Sequence, residues 1–242
     1  MTGSVLAVFT AEFTLRGGTV VDTRTYLPGA ADFTVPIRTL LQTTDAPAAP
    51  PPGTAVNPGE KPSLAPRRRQ DVDLILVAAN GSNGRQIVPQ IKFFGGGDLP
   101  IYSTSAIWED GAADDDDLNG VVFPDCPWII SPDDRQRTVK NGLAHHWGRA
   151  ALSVSRFYAL GYDAYQLLPD ILRQPAPGAF TAGDIPGATG VLSADAAGRI
   201  HRHLSFAEIR EGRPIPVQGP LPEPLPAPQP TPIPATLSPP GI

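Results

Sequence analysis

Apolar and polar positions alternate along this chain with two different periods, and the changes of period mark its elements. Val5, Leu6, Phe9, Phe13 and Leu15 share one helical face, and Gly17-Gly18 supplies a left-handed stop before the β-branched run Thr19-Val20-Val21. A helix feeding a strand is expected there. Asp32 to Leu41 suggests a second short helix, with Asp32 placed to cap it and Pro36 tolerated in its first turn. Leu74 to Ala79 is continuously apolar, the pattern of a central parallel strand covered on both faces. Gly84 to Phe94 then reads as a helix, Leu99 to Tyr102 as a strand, and Leu118 to Phe123 as another strand. Pro132 to Trp147 has the pattern of a polar-faced helix, and Ser155 to Arg173 that of a longer, more apolar one. Gly187 to Val217 alternates in strand fashion, with turn signals at Ala196-Ala197-Gly198 and Glu211-Gly212, so a hairpin or short meander is expected. Helix and strand in alternation predict an open α/β sheet.

Composition changes this picture in two places. Of the 30 prolines, seven fall between Ala46 and Pro66 and ten between Pro220 and Ile242, segments that cannot sustain regular helix or sheet. The chain is therefore expected to divide into residues 1–45, a flexible insertion at 46–70, the remainder of the same domain at 71–218, and an extended tail at 219–242.

Charge and chemistry exclude more than they assign. A net charge of −5 leaves no electrostatic footprint for nucleic acid, and the one basic run, Arg67-Arg68-Arg69, reads as a solvated linker. The single cysteine, Cys126, rules out an intramolecular disulfide and reads as a small buried residue. No apolar run is long enough to span a bilayer, and the first residues lack the basic region of a signal peptide, so the residues alone point to the cytoplasm.

In an open α/β sheet a ligand is expected beyond the carboxyl ends of the strands, which places Asn80, Ser82, Ser103 and Ser105 at a cleft; Tyr162 is a further candidate there. The turn Asn80 to Gly84 is followed by Arg85-Gln86-Ile87 rather than the Lys-Ser/Thr of a nucleotide loop, and the dinucleotide pattern G-x-G-x-x-G is missing. Asp114 to Asp117 lacks the alternating spacing of a calcium loop. His145-His146 and His201-x-His203 lack the i, i+4 geometry of a zinc pair. No nucleophile with an assignable base is present, so neither an enzyme nor a metal or cofactor is expected.

Several stretches in order carry a resemblance: Phe13 to Tyr26, Asp71 to Ala79, Leu99 to Ser105, Leu118 to Trp128, "RFYALGYDAYQLL" from Arg156, and Gly187 to Val217. Together these resemble the C-terminal region of the LppC/LpoA lipoproteins, the penicillin-binding protein activators. The resemblance implies a type 1 periplasmic-binding-protein-like domain, here mostly one of its two Rossmann-like lobes. It also implies a non-enzymatic regulator of peptidoglycan synthesis whose partner is a bifunctional class A penicillin-binding protein, in the periplasm and attached to the outer membrane by a lipid anchor. That setting is preferred here over the cytoplasmic one. The alternative on the same fold is a receptor for an amino acid or cell-wall fragment. Relative to the family pattern a preceding strand and lobe, a signal peptide and a lipidated cysteine are lacking, so a truncated chain with an unpaired sheet edge, marginally stable or self-associating, is expected.

Overall fold

The computed structural model describes residues 2–27, 29–30, 32–47, 64–110, 116–148, 150–173, 184–195 and 197–217. The proline-rich stretch 48–63, the tail from 218 onward, and Asp114 and Asp115 lie outside them. Helix α1 (Thr2–Leu15) ends at Gly17, whose φ of 84° closes the last turn. Thr19-Val20-Val21 is not a strand. A strand exists only through its ladder, and no described strand runs beside these residues, so propensity alone does not create one.

Helix α2 (Thr34–Leu41) buries Ile37 and Leu41; the Asp32 carboxylate accepts the Thr34 amide at 2.8 Å, while Phe33 holds the capping position itself. Strand β1 (Thr44–Pro47) pairs antiparallel with β2 (Leu64–Arg67). The two ends of the segment expected to be without regular structure are therefore joined in a ladder. Nor is the basic run that follows a solvated linker. Arg68 grips Asp98 through two donors at 3.2 and 2.7 Å, Arg69 grips Asp71 at 2.6 Å, and the two arginine side chains are only 10% and 11% exposed. Asp98 lies 30 residues away in sequence, so local charge patterning could not reveal this pairing.

Strand β3 (Ile75–Val77) leads into α3 (Gly81–Ile91), which continues through one wide turn at Lys92–Gly96. Pro89 has no amide hydrogen to give the ladder, consistent with a helix that loosens at this end. Strands β4 (Ile101–Ser103) and β5 (Val121–Asp125) follow, and β3, β4 and β5 are parallel in register. Leu118 belongs to a short 3₁₀ turn, so β5 starts three residues later than its apolar pattern suggests, after Gly120 at φ 84°. Gly84 lets α3 lie close on the turn after β4: a Cβ there would overlap Ile107 Cδ1 unless that side chain moved.

Helices α4 (Pro127–Ile130), α5 (Asp134–Trp147), α6 (Ala150–Ser153) and α7 (Ser155–Leu172) follow. Helix α5 begins with a reciprocal cap: Asp133 accepts the Gln136 amide, and the Gln136 side chain accepts the Asp133 amide. The final strands are β6 (Ile185–Pro186), β7 (Val191–Ala194), β8 (Ile200–His203), β9 (Ser205–Arg210) and β10 (Arg213–Pro216). They are not one meander. The first three form a small antiparallel sheet, whereas β9 pairs antiparallel with β5, giving a five-stranded sheet of order β10-β9-β5-β4-β3. The parallel sheet expected from the sequence thus carries two antiparallel strands on one side. Alternation in the sequence is the same for either sheet, and Leu204 alone separates β8 from β9. The core lies around Phe33, Val88, Ile107, Leu118, Phe123, Trp128 and Ile209, all buried to 1% exposure or less.

Candidate binding site at the strand ends

The carboxyl end of β5 holds a charge inside the core. Asp125 is 2% exposed, and Arg156, from the first turn of α7, reaches it with two donors: Nε to Oδ1 at 2.9 Å and Nη2 to Oδ2 at 2.5 Å. Nη2 also donates to the carbonyls of Ser105 and Trp108, each at 2.9 Å. One guanidinium therefore ties α7, β5 and the turn after β4 together. Burial pulls the Arg156 pKa down, but the hydrogen bonds and field of Asp125 outweigh it and the net direction is upward, so the guanidinium keeps its charge. Asp125 Oδ1 also accepts the amide of Cys126. The Cys126 thiol is pushed up to about 12, first by burial and then by the Asp125 carboxylate, which makes it an inert core residue.

A second buried carboxylate sits two turns along α7. Asp163 accepts the amides of Ala188 and Thr189 at 2.6 and 2.7 Å and the Thr189 hydroxyl at 2.5 Å. It pins the loop before β7 to the helix. A Cβ at Gly187 would come within 2.9 Å of Asp163 Oδ2, and one at Gly190 would collide with the backbone of His203. Trp128 completes the network, its indole donating to Ser155 at 2.9 Å and its amide to the Ala188 carbonyl at 3.0 Å. Nearby, Lys140 pairs with Asp110 Oδ1 at 2.7 Å and donates to the Trp128 carbonyl at 3.3 Å, while Asp110 Oδ2 has no hydrogen-bond partner among the described residues.

The five residues expected at a cleft fall around these struts. Asn80 caps α3, its side chain accepting the Asn83 amide at 2.9 Å; the helix therefore starts at Gly81, three residues earlier than its apolar pattern implies, and Ser82 is exposed on its first turn. Ser103 is buried and donates to the Val77 carbonyl at 2.6 Å, joining β4 to β3. Ser105 is half-buried, its carbonyl held by Arg156. Tyr162 is also half-buried, its ring centroid 5.7 Å from that of Trp128, and its hydroxyl accepts from Gln166. The start of α3 approaches the Ser105–Ile107 turn, where a Cβ at Gly81 would lie 3.1 Å from the Ile107 carbonyl. A groove of about 490 Å³ lies elsewhere, between residues 24–27 and α2, bordered by Arg24, Tyr26, Phe33 and Thr39.

The sequence reading missed Asp125, Arg156 and Asp163. The signal was present: an acid in "FPDCPW", and a lone acid in the otherwise uncharged helix "FYALGYDAYQLL", must find partners if buried. Among the described residues no group of three or more His, Cys, Asp or Glu side chains could hold a metal ion. The chemistry of the site is one of mutual satisfaction. Donors and acceptors that could engage a ligand are mostly engaged with each other, and they hold surfaces in place.

A parallel sheet flanked by helices and finished by antiparallel strands defines a periplasmic-binding-protein-like fold. A branched-chain amino acid ABC transporter structure from Rhodospirillum rubrum shares it at TM-score 0.57 and 19% identity, over 87% of this chain and 56% of that one. The model of the LppC lipoprotein family matches residues 3–212, and the chain belongs to that family. The penicillin-binding protein activator LpoA of Vibrio cholerae is 32% identical over 145 residues, 59% of this chain and 23% of its own length. The LpoA C-domain of Haemophilus influenzae, a regulator of PBP1A, matches 62% of this chain and 46% of that domain at 22% identity and TM-score 0.47. The chain thus spans about a quarter of the length of the curated relatives it matches.

Proposed function

We propose that this chain binds a class A penicillin-binding protein and raises its peptidoglycan-crosslinking activity without catalysing a reaction itself. The observation that carries the reading is the family match over residues 3–212, with relatives named as penicillin-binding protein activators. The internal pairing of Asp125, Arg156 and Asp163 supports it, because these groups serve a scaffold rather than a reaction. An activator acts by binding the active conformation of its partner more tightly than the inactive one. The setting proposed with it is the periplasm, as part of a protein held to the outer membrane by a lipid anchor. No described helix is long and apolar enough to cross a membrane.

The test is a crosslinking assay with a purified bifunctional class A synthase and lipid-linked precursor, with and without the full chain at micromolar concentration. A rise in the crosslinked fraction together with saturable binding is expected. No binding and no rise would overturn the proposal. Thermal shifts with free amino acids and muropeptides form the second arm: saturable stabilisation by one of these, with no effect of the synthase, would replace the activator with a receptor.

A further inference from the structure

Strand β10 forms one end of the five-stranded sheet, and among the described residues it pairs only with β9. Arg213 lies opposite Arg210, Pro214 opposite Ile209, Ile215 opposite Glu208 and Pro216 opposite Ala207. The turn between the strands fixes this register. Glu211 and Gly212 both take left-handed backbone, at φ 50° and 69°, as in the two-residue hairpin turn whose twist matches that of its strands. The Gly212 amide also donates to Asn119 Oδ1 at 2.9 Å, which anchors the turn to the corner before β5. In an antiparallel ladder the amides of one strand point alternately towards the partner and away from it. Val217 donates to the Phe206 carbonyl at 2.9 Å, so the odd positions, Arg213, Ile215 and Val217, face β9 and the even positions face outward.

Both even positions of β10 are proline. Each lacks the N–H that an added strand would accept, and its ring fills the space that the hydrogen bond would occupy. The outward side of β10 therefore presents the carbonyls of Pro214 and Pro216 and no donor. The phase decides the effect, because prolines one residue earlier or later would have cut the bonds to β9 instead. Ile215 and Val217, at the odd positions, are β-branched, so with other residues at 214 and 216 this stretch would be a strand-forming edge. We infer that Pro214 and Pro216 close this end of the sheet to strand addition, whether the incoming strand belongs to a second copy of the chain or to an extended peptide of another protein. The missing donors belong to the strand itself and are missing whatever else surrounds β10. This holds with or without the activator reading; under that reading, a synthase bound by the chain does not gain its hold by adding a strand to β10.

The experiment restores the donors. Pro214→Thr, Pro216→Thr and the double variant of the full chain are compared with the wild type by sedimentation velocity across the micromolar range, and by amide hydrogen exchange on dilute protein. In the dilute double variant the amides introduced at positions 214 and 216 are expected to exchange as freely as those of a loop, while those of Ile215 and Val217 stay protected. Its self-association constant is expected to rise about tenfold over the wild type, as two restored hydrogen bonds would give. Protection of the introduced amides in the dilute variant would mean that they face β9, and association no stronger than that of the wild type would mean that the prolines bar nothing. Either result overturns the inference. If one variant unfolds by circular dichroism, the others carry the same two readouts. Unfolding of all three would show that the prolines serve the hairpin's own stability, and would overturn it as well.

Discussion

The half of the molecule around β5 and the outer face of α7 obey opposite rules although one helix belongs to both. On the inner side, Asp125 in its ion pair, Asp163 accepting three hydrogen bonds, and Trp128 with its bond to Ser155 are each exposed by a few per cent at most. On the outer side six large apolar side chains, Phe157, Leu160, Tyr165, Leu168, Ile171 and Leu172, are exposed in this chain. Polar groups inside and apolar groups outside is the reverse of the usual economy of a domain. Each inner charge is matched by geometry, and so stabilises only while its partners hold; the outer face has no such dependence. Substitutions should therefore separate the two: costly where a partner is orphaned, nearly neutral to the monomer where the side chain only faces water.

The largest effect is expected at Arg156. Arg156→Ala leaves the Asp125 carboxylate buried without its counter-charge and strips a donor from the carbonyls of Ser105 and Trp108. The cost of breaking such a pair is about 3–5 kcal/mol, and with the arginine side chain 36% exposed the lower figure is expected. Urea unfolding measures it. A loss below about 1 kcal/mol would mean that water reaches Asp125 and that the inner half is not sealed.

Gly190 gives the next effect. Its φ of 142° is outside the range side chains tolerate, and a Cβ would strike the His203 carbonyl oxygen, so Gly190→Ala should cost about 1–3 kcal/mol in the same assay. It acts on the loop that Asp163 pins, whose hydrogen-bond partners are not those of the Arg156 fork, so the two losses should add in the double variant. Marked non-additivity would merge the two struts into one cooperative unit and sharpen the contrast with the outer face.

Sequence pattern recovered the parts of this molecule that periodicity alone decides. α5 and α7 have the predicted extents to within two residues, and β3 and β4 stand where the apolar runs put them, because a run bounded by glycine and proline has few alternatives. It failed where the outcome depends on a distant partner. Thr19-Val20-Val21 has the composition of a strand and no ladder; Arg68 has the composition of a linker and a carboxylate 30 residues on; β9 alternates like β8 but joins another sheet. The candidate site shows the same division. Ser103 and Asn80 were legible as residues at strand ends, but their hydrogen bonds to Val77 and Asn83 were not, nor was the Asp125–Arg156 pair, whose members are 31 residues apart.

The smallest effect at neutral pH is the finest probe of the comparison, because it is read first on the unsubstituted chain. Cys126 lies beside the ion pair, and its thiol is raised from 9.0 to about 12. A raised pKa means the folded state keeps its proton where the unfolded chain has lost it. The associated stability is therefore complete below about pH 9 and drains away as pH climbs towards 12. Melting temperature should decline over that window, and Cys126→Ala should remove the thiol's share of the decline. At pH 8 a small thiol reagent should leave native Cys126 unlabelled and react once urea opens the inner half. Labelling of the native protein at the rate of a free thiol would show the region around β5 opening as readily as the outer face stands open, and the two sides of α7 would then differ in composition but not in stability.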